Sequence, residues 1–137
     1  MSDNLKITKT YDVEIDKCDL RDIMITALEG GITYWADATK PVGEWLGKDS
    51  CDHVANGGIL KIHLTEGAID DSNKTWYEID KAKLLKGIKM YLDDPETPFG
   101  ILRDGTCGEC HLELCEVDGA VADIIIQYAL FGEVVFG

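Results

Sequence analysis

Arginine is nearly missing from this sequence: Arg21 and Arg103 are the two examples among 137 residues. Basic residues total 13 against 26 acidic ones, a formal net charge of −13, which disfavours long-range attraction to nucleic acid or to an anionic membrane. Long apolar stretches are also missing. The longest, such as those at 124–126 and 134–136, are far too short to span a bilayer. Residues 1–6 lack the charged-then-apolar order of a signal peptide, so the expected setting is a cytoplasm. Five cysteines, an odd number in that setting, read as reduced thiols and not as a disulfide framework. The GxSxG, HExxH and GxxxxGK[ST] signatures are absent. No catalytic residue, cofactor or metal is therefore assigned, and the expectation is a protein that is not an enzyme.

What is present points to one α+β domain over 1–137, a mixed or antiparallel sheet packed with about three helices. Residues 5–15 alternate apolar and polar side chains, as a half-buried strand does. Asp16 or Asp19 then caps a helix carrying Leu20, Ile23, Met24, Ala27 and Leu28 on one stripe. Gly30, in a left-handed conformation, is expected to close it, while Gly31 lets another backbone approach. A strand over 32–38 would send Tyr34 and Trp35 to opposite faces, one to the core and one outward as a stacking surface. Residues 43–58 read as loop, 59–64 as a strand with a partner at 75–79, and Asp80 as the cap of a second helix ending before Pro95. The region 99–116 is broken by glycines. Asp118 caps a last helix over 120–131, apolar on nearly every side and so expected at the centre; Gly132 ends it before a short closing strand at 133–136.

Three groups of residues could carry chemistry. Cys107, Cys110 and Cys115, with His111 or the Cys51/His53 pair, have the donor types of a zinc site, but one CxxC lacks its second half, and free thiols are the simpler reading. His63 sits in an alternating strand and reads as a surface residue. Asp123 and Gln127 are four apart on an otherwise apolar helix. A buried carboxylate without partners is unfavourable by several kcal/mol, so the pair either satisfies groups of a neighbouring turn, such as that at Gly30-Gly31, or forms the polar floor of a ligand pocket.

The segment Glu29-Gly30-Gly31-x-x-Tyr34-Trp35 and the stretch Asp123-x-x-x-Gln127-x-x-x-Phe131-Gly132-Glu133-Val134-Val135-Phe136-Gly137 together resemble a family of small, largely uncharacterised phage and prophage proteins. Members carry an EGG-S-x-YW segment and finish in FGE-[IV]-V-[YF]-G. Here Ile32 stands where a serine is usual, and Phe136 replaces the commoner tyrosine. The resemblance implies a phage-encoded accessory protein in a host bacterial cytoplasm, and an anti-defence role as its context. Two mechanisms fit. The leading one is a sponge for a small nucleotide signal of the cyclic ADP-ribose type. Tyr34 or Trp35 would stack the base, Gly30 and Gly31 would allow close approach, Arg21 and Arg103 would hold phosphates, and Glu29, Asp123, Gln127 and Glu133 would supply polar contacts. The alternative is an acidic, anti-CRISPR-like inhibitor that imitates nucleic acid and covers the basic groove of a defence nuclease. A structural or regulatory phage protein is a third. The partner is then a nucleotide or a host defence protein, with no direct nucleic acid and no membrane, and the edge of a closing strand would offer a route to a homo-oligomer.

Overall fold

In the computed structural model, residues 12–93, 102–104, 109–112 and 117–137 are described. The strand expected over 5–15 is seen as β1, Asp12–Glu14; its earlier residues lie outside the described part. Helix α1, Lys17–Thr26, starts as the sequence demands. The Asp16 carboxylate accepts from the Asp19 amide (2.9 Å) and the Asp19 carboxylate from the Asp16 amide (3.1 Å), a reciprocal cap that satisfies two donors left open at a helix start. Leu20, Ile23 and Met24 face the core.

The helix does not stop at a left-handed Gly30. It widens into a π-helical turn, Ala27–Gly31, closed by the Ile32 amide donating to the Ala27 carbonyl (2.9 Å), and Gly30 has no positive φ. A second expectation shifts with it. Residues 32–35 form a turn in which the Ile32 carbonyl accepts from the amides of Trp35 (3.0 Å) and Ala36 (2.9 Å), so strand β2 begins only at Ala36 and runs Ala36–Pro41.

The segment expected as a loop at 43–58 contains helix α2, Ser50–Ala55. Asp49 caps it by accepting from the Asp52 amide (2.9 Å). Six residues are too few for an apolar stripe to repeat, which hid it from periodicity. Strands β3, Leu60–Leu64, and β4, Trp76–Ile79, form an antiparallel sheet with β2 in the order β2-β3-β4. Leu60, Ile62 and Leu64 point into the core, and Lys61 and His63 to the other face. Helix α3, Lys81–Asp93, is capped by Asp80 through the Lys83 amide (2.9 Å). Strands β5, Leu102–Asp104, and β6, Glu109–Leu112, join β1 in a mixed sheet of order β1-β6-β5, with β1 parallel and β5 antiparallel to β6.

Helix α4, Gly119–Phe131, is the buried centre. Asp118 caps it, and Gly132 ends it at φ +73°, as expected. It crosses α3 closely enough that a Cβ on Gly87 would lie 2.4 Å from the Ile125 carbonyl oxygen. The class is α+β, as expected, and the described residues form four α-helices. The closing strand at 133–136 is not one: Gln127 of α4 holds the backbone of 135 and 136, and the segment joins neither described sheet. The proposed route to self-association therefore lacks its strand. Among the described residues, no helix is long and apolar enough to cross a membrane.

Candidate functional site

Of Tyr34 and Trp35 one is core and one exposed, as expected, Trp35 at 2% and Tyr34 at 54%, but a turn at 32–35 stands in place of the strand and lets both side chains reach one carboxylate. The Tyr34 hydroxyl donates to Oδ2 of Asp123 (2.6 Å), and Trp35 Nε1–H donates to Oδ1 (2.7 Å). Gln127, one helical turn later, donates from Nε2 to the same Oδ1 (2.9 Å). Its Nε2 also donates to the Phe136 carbonyl (3.0 Å), while its Oε1 accepts from the amides of Val135 and Phe136 (2.7 Å each). Three donors on a carboxylate compensate the loss of its hydration. Among the described residues, no buried side-chain nitrogen or oxygen lacks a partner.

The rings close the same junction. Trp35 is 2% exposed; Phe136 stacks on it at 5.2 Å between centroids and 8° between planes, and Phe131 leans in at 5.6 Å. Gly31 supplies the close approach expected of it. A Cβ there would stand 2.7 Å from the Gly119 carbonyl oxygen and 3.4 Å from the Asp123 amide nitrogen. Around Gly30, by contrast, space is open to 4 Å. Tyr34 is half-exposed, while desolvation and the bond to Asp123 push its phenol up to about 12.

The Asp123/Gln127 pair thus binds the 32–35 turn and the 135–136 backbone, a junction between two distant parts of the sequence. It does not hold Gly30-Gly31 through side-chain bonds. A ligand at Trp35 would have to displace Phe136.

The other residues assigned to a ligand whose burial is described, Arg21, Glu29 and Glu133, contribute none of these bonds. Arg21 binds Asp52 across α1 and α2 (Nε to Oδ1, 2.7 Å), and its guanidinium pKa is raised by that bond. Asp52 is held below the usual carboxylate range, first by the Lys48 amide and then by Arg21. Glu29 is exposed on the π turn, and Glu133 is exposed beyond α4. Arg103 lies on β5, and its side chain falls outside the described part.

So do Cys107 and Cys115 and the side chains of Cys110 and His111. Among the described residues, no group of His, Cys, Asp or Glu could hold a metal ion. His53, buried, spends both ring nitrogens: the Leu46 amide donates to Nδ1 (3.1 Å), so Nε2–H donates to the Ile59 carbonyl (2.9 Å). The neighbouring Cys51 thiol is pushed up to about 11 by burial and then by Asp49. His63 lies at the surface as expected, its Nδ1 2.7 Å from the Asp37 carboxylate and its ring 4.8 Å from that of Trp76.

Clefts among the described residues include three with carboxylates in their linings. One, about 220 Å³, runs between the 28–33 turn and β2, with Asp37 in its wall. A second, about 350 Å³, lies at the end of α4 and contains Asp70, Tyr77, Phe131 and Glu133. The third, about 310 Å³, is lined by Glu14, Ile15, Asp16 and Asp19. Each contains at least one carboxylate, and none has a lysine or arginine in its lining. Sequence reasoning missed the second cleft, whose wall combines β4, α4 and two separate loops; its only visible signal is the acidic turn at 70–73. No family model matches the chain, and no curated protein or solved structure is significantly similar to it.

Proposed function

We propose that this chain is a binding protein and not an enzyme, an anti-defence accessory protein of a phage that acts in the bacterial cytoplasm by covering a basic surface of a host defence protein. The observation that carries this reading is the sign of the charge lining the clefts. Carboxylates stand in all three, and among residues whose burial is described Asp123 is the single buried acid. A surface of this kind repels a phosphate and attracts lysine and arginine, and charge complementarity of that sort speeds association and selects partners. The family resemblance supplies the phage context.

The reading is tested with purified defence nucleases. Inhibition of nucleic-acid cleavage that fades as salt rises from about 50 to about 200 mM is the expected result, because exposed charges are screened within about 8 Å at physiological ionic strength. Cleavage that is unaffected at low salt across nucleases of several classes would overturn it.

Sequestration of a nucleotide signal draws on one observation, the half-exposed Tyr34 beside Asp123. Incubation with cyclic nucleotide signals, followed by heating, decides it. Intact signal released only on heating supports a sponge, whereas signal left free before heating counts against it.

A further inference from the structure

The cleft at the end of α4 combines aromatic and aliphatic side chains with two carboxylates. Its apolar lining is Ile69, Leu130, Val135 and the rings of Tyr77 and Phe131, which stand edge to face at 4.9 Å and 82°. Two carboxylates, Asp70 and Glu133, stand in the same lining. The α4 axis contributes as well. The helix ends at Phe131 with no basic residue in its own last turn, and its terminal carbonyls carry the negative end of the dipole toward this cleft. Finally, a cation already rests on one of the rings that line the cleft: Lys74, itself outside the lining, places Nζ over the Tyr77 ring, 4.4 Å from its centroid. Ser72 donates to Asp70 through its amide and its hydroxyl, both to Oδ1, and these bonds hold the carboxyl below its usual range and keep it ionised at neutral pH.

We infer that this cleft receives an arginine side chain from a basic protein partner, the guanidinium meeting Asp70, Glu133 and the end of α4 while its methylene stem lies along Phe131 and Tyr77. Arginine fits better than lysine because its planar group forks onto carboxylates with several donors at once. The inference rests on the reading that the partner is basic, and it names where on the surface one anchoring residue goes. Lys74 is then a competitor, a built-in charge that an incoming arginine must tolerate or displace.

The probe is a fluorescein-labelled hexa-arginine peptide, with hexa-lysine as its equal-charge comparison, followed by fluorescence polarisation on the full chain. The paired substitution Asp70→Asn with Glu133→Gln removes two charges from the cleft. Asp22→Asn with Glu44→Gln removes two exposed charges elsewhere. The cleft pair is expected to weaken hexa-arginine binding about tenfold, the control pair less than about twofold, since isolated exposed charges count for little. Lys74→Ala should tighten it, and hexa-lysine should bind more weakly than hexa-arginine.

Equal losses for the two pairs, or no binding by the native chain, would overturn the assignment; thermal melts of each variant guard against a folding artefact. The two readings also fail separately. A cleft-pair variant that still inhibits a nuclease with unchanged salt dependence removes the cleft but leaves partner masking standing. Cleft-dependent peptide binding without inhibition of any nuclease does the reverse.

Discussion

Asp123 is the residue on which the junction turns, because its two oxygens take three donors from two other parts of the chain. Replacing it with alanine strands the Trp35 indole N–H, which is buried, and frees the Gln127 amide from one of its partners. Leaving a buried donor unmade costs about 1 to 3 kcal/mol, so Asp123→Ala is expected to destabilise the fold by about 3 kcal/mol once the lost charge-assisted bonds are included. Asp123→Asn keeps an acceptor for Trp35 and Gln127 and turns an amide toward the Tyr34 hydroxyl, which can accept as well as donate. Its loss should be smaller by about 1 kcal/mol, one neutral hydrogen bond. Urea unfolding followed by tryptophan fluorescence checks the order. An alanine variant as stable as the asparagine one would mean that the three bonds contribute nothing net.

The helices were legible in the sequence where a cap and a stripe coincide, as at Asp16 with Leu20, Ile23 and Met24, and at Asp118 ahead of α4. What the residues could not show was how one helix gives way to the next element. The pair Gly30-Gly31 reads as a helix stop, yet the chain inserts a π turn there and assigns the two glycines different roles. Gly31 is pressed against the Gly119 carbonyl, and Gly30 faces open space. The same turn, and not a strand's alternation, sets the directions of Tyr34 and Trp35, since the strand starts only at Ala36. That Asp123 and Gln127 needed partners was clear from burial alone. That Gln127 would grip the backbone of 135–136 was not, because a glutamine amide can satisfy many neighbours and spacing does not choose among them.

The two glycines yield a paired prediction. Gly31→Ala should destabilise by about 2 kcal/mol or more, since overpacking against backbone typically costs 1 to 3. Gly30→Ala should be neutral or stabilising by up to about 1 kcal/mol, through a less flexible unfolded chain. Melting temperatures of the two variants measure the contrast, and equal shifts would contradict the close contact at Gly31.

At the scale of the whole molecule, charge and the junction meet in the alkaline limb of the stability curve. Tyr34 has its phenol pushed up to about 12, against an ordinary value of 10.0. The folded state therefore holds this proton more tightly than the unfolded state does. Its contribution is complete below pH 10, where both states are protonated, and is lost as pH rises from about 10 to about 12. Tyr34 is 54% exposed, so solvent screening reduces the contribution to about 1 kcal/mol. A complication is that the lysines also lose protons in this range, which adds to the self-repulsion of a chain already at −13. Comparing Tyr34→Phe with the native chain at each pH cancels that shared effect, because the variant keeps every lysine and carboxylate. The native protein should lose stability more steeply than Tyr34→Phe between pH 10 and 12, and the two slopes should coincide below pH 9. Parallel curves across the whole range would show that the phenol titrates alike in the folded and unfolded chains, and that its bond to Asp123 does not hold the proton.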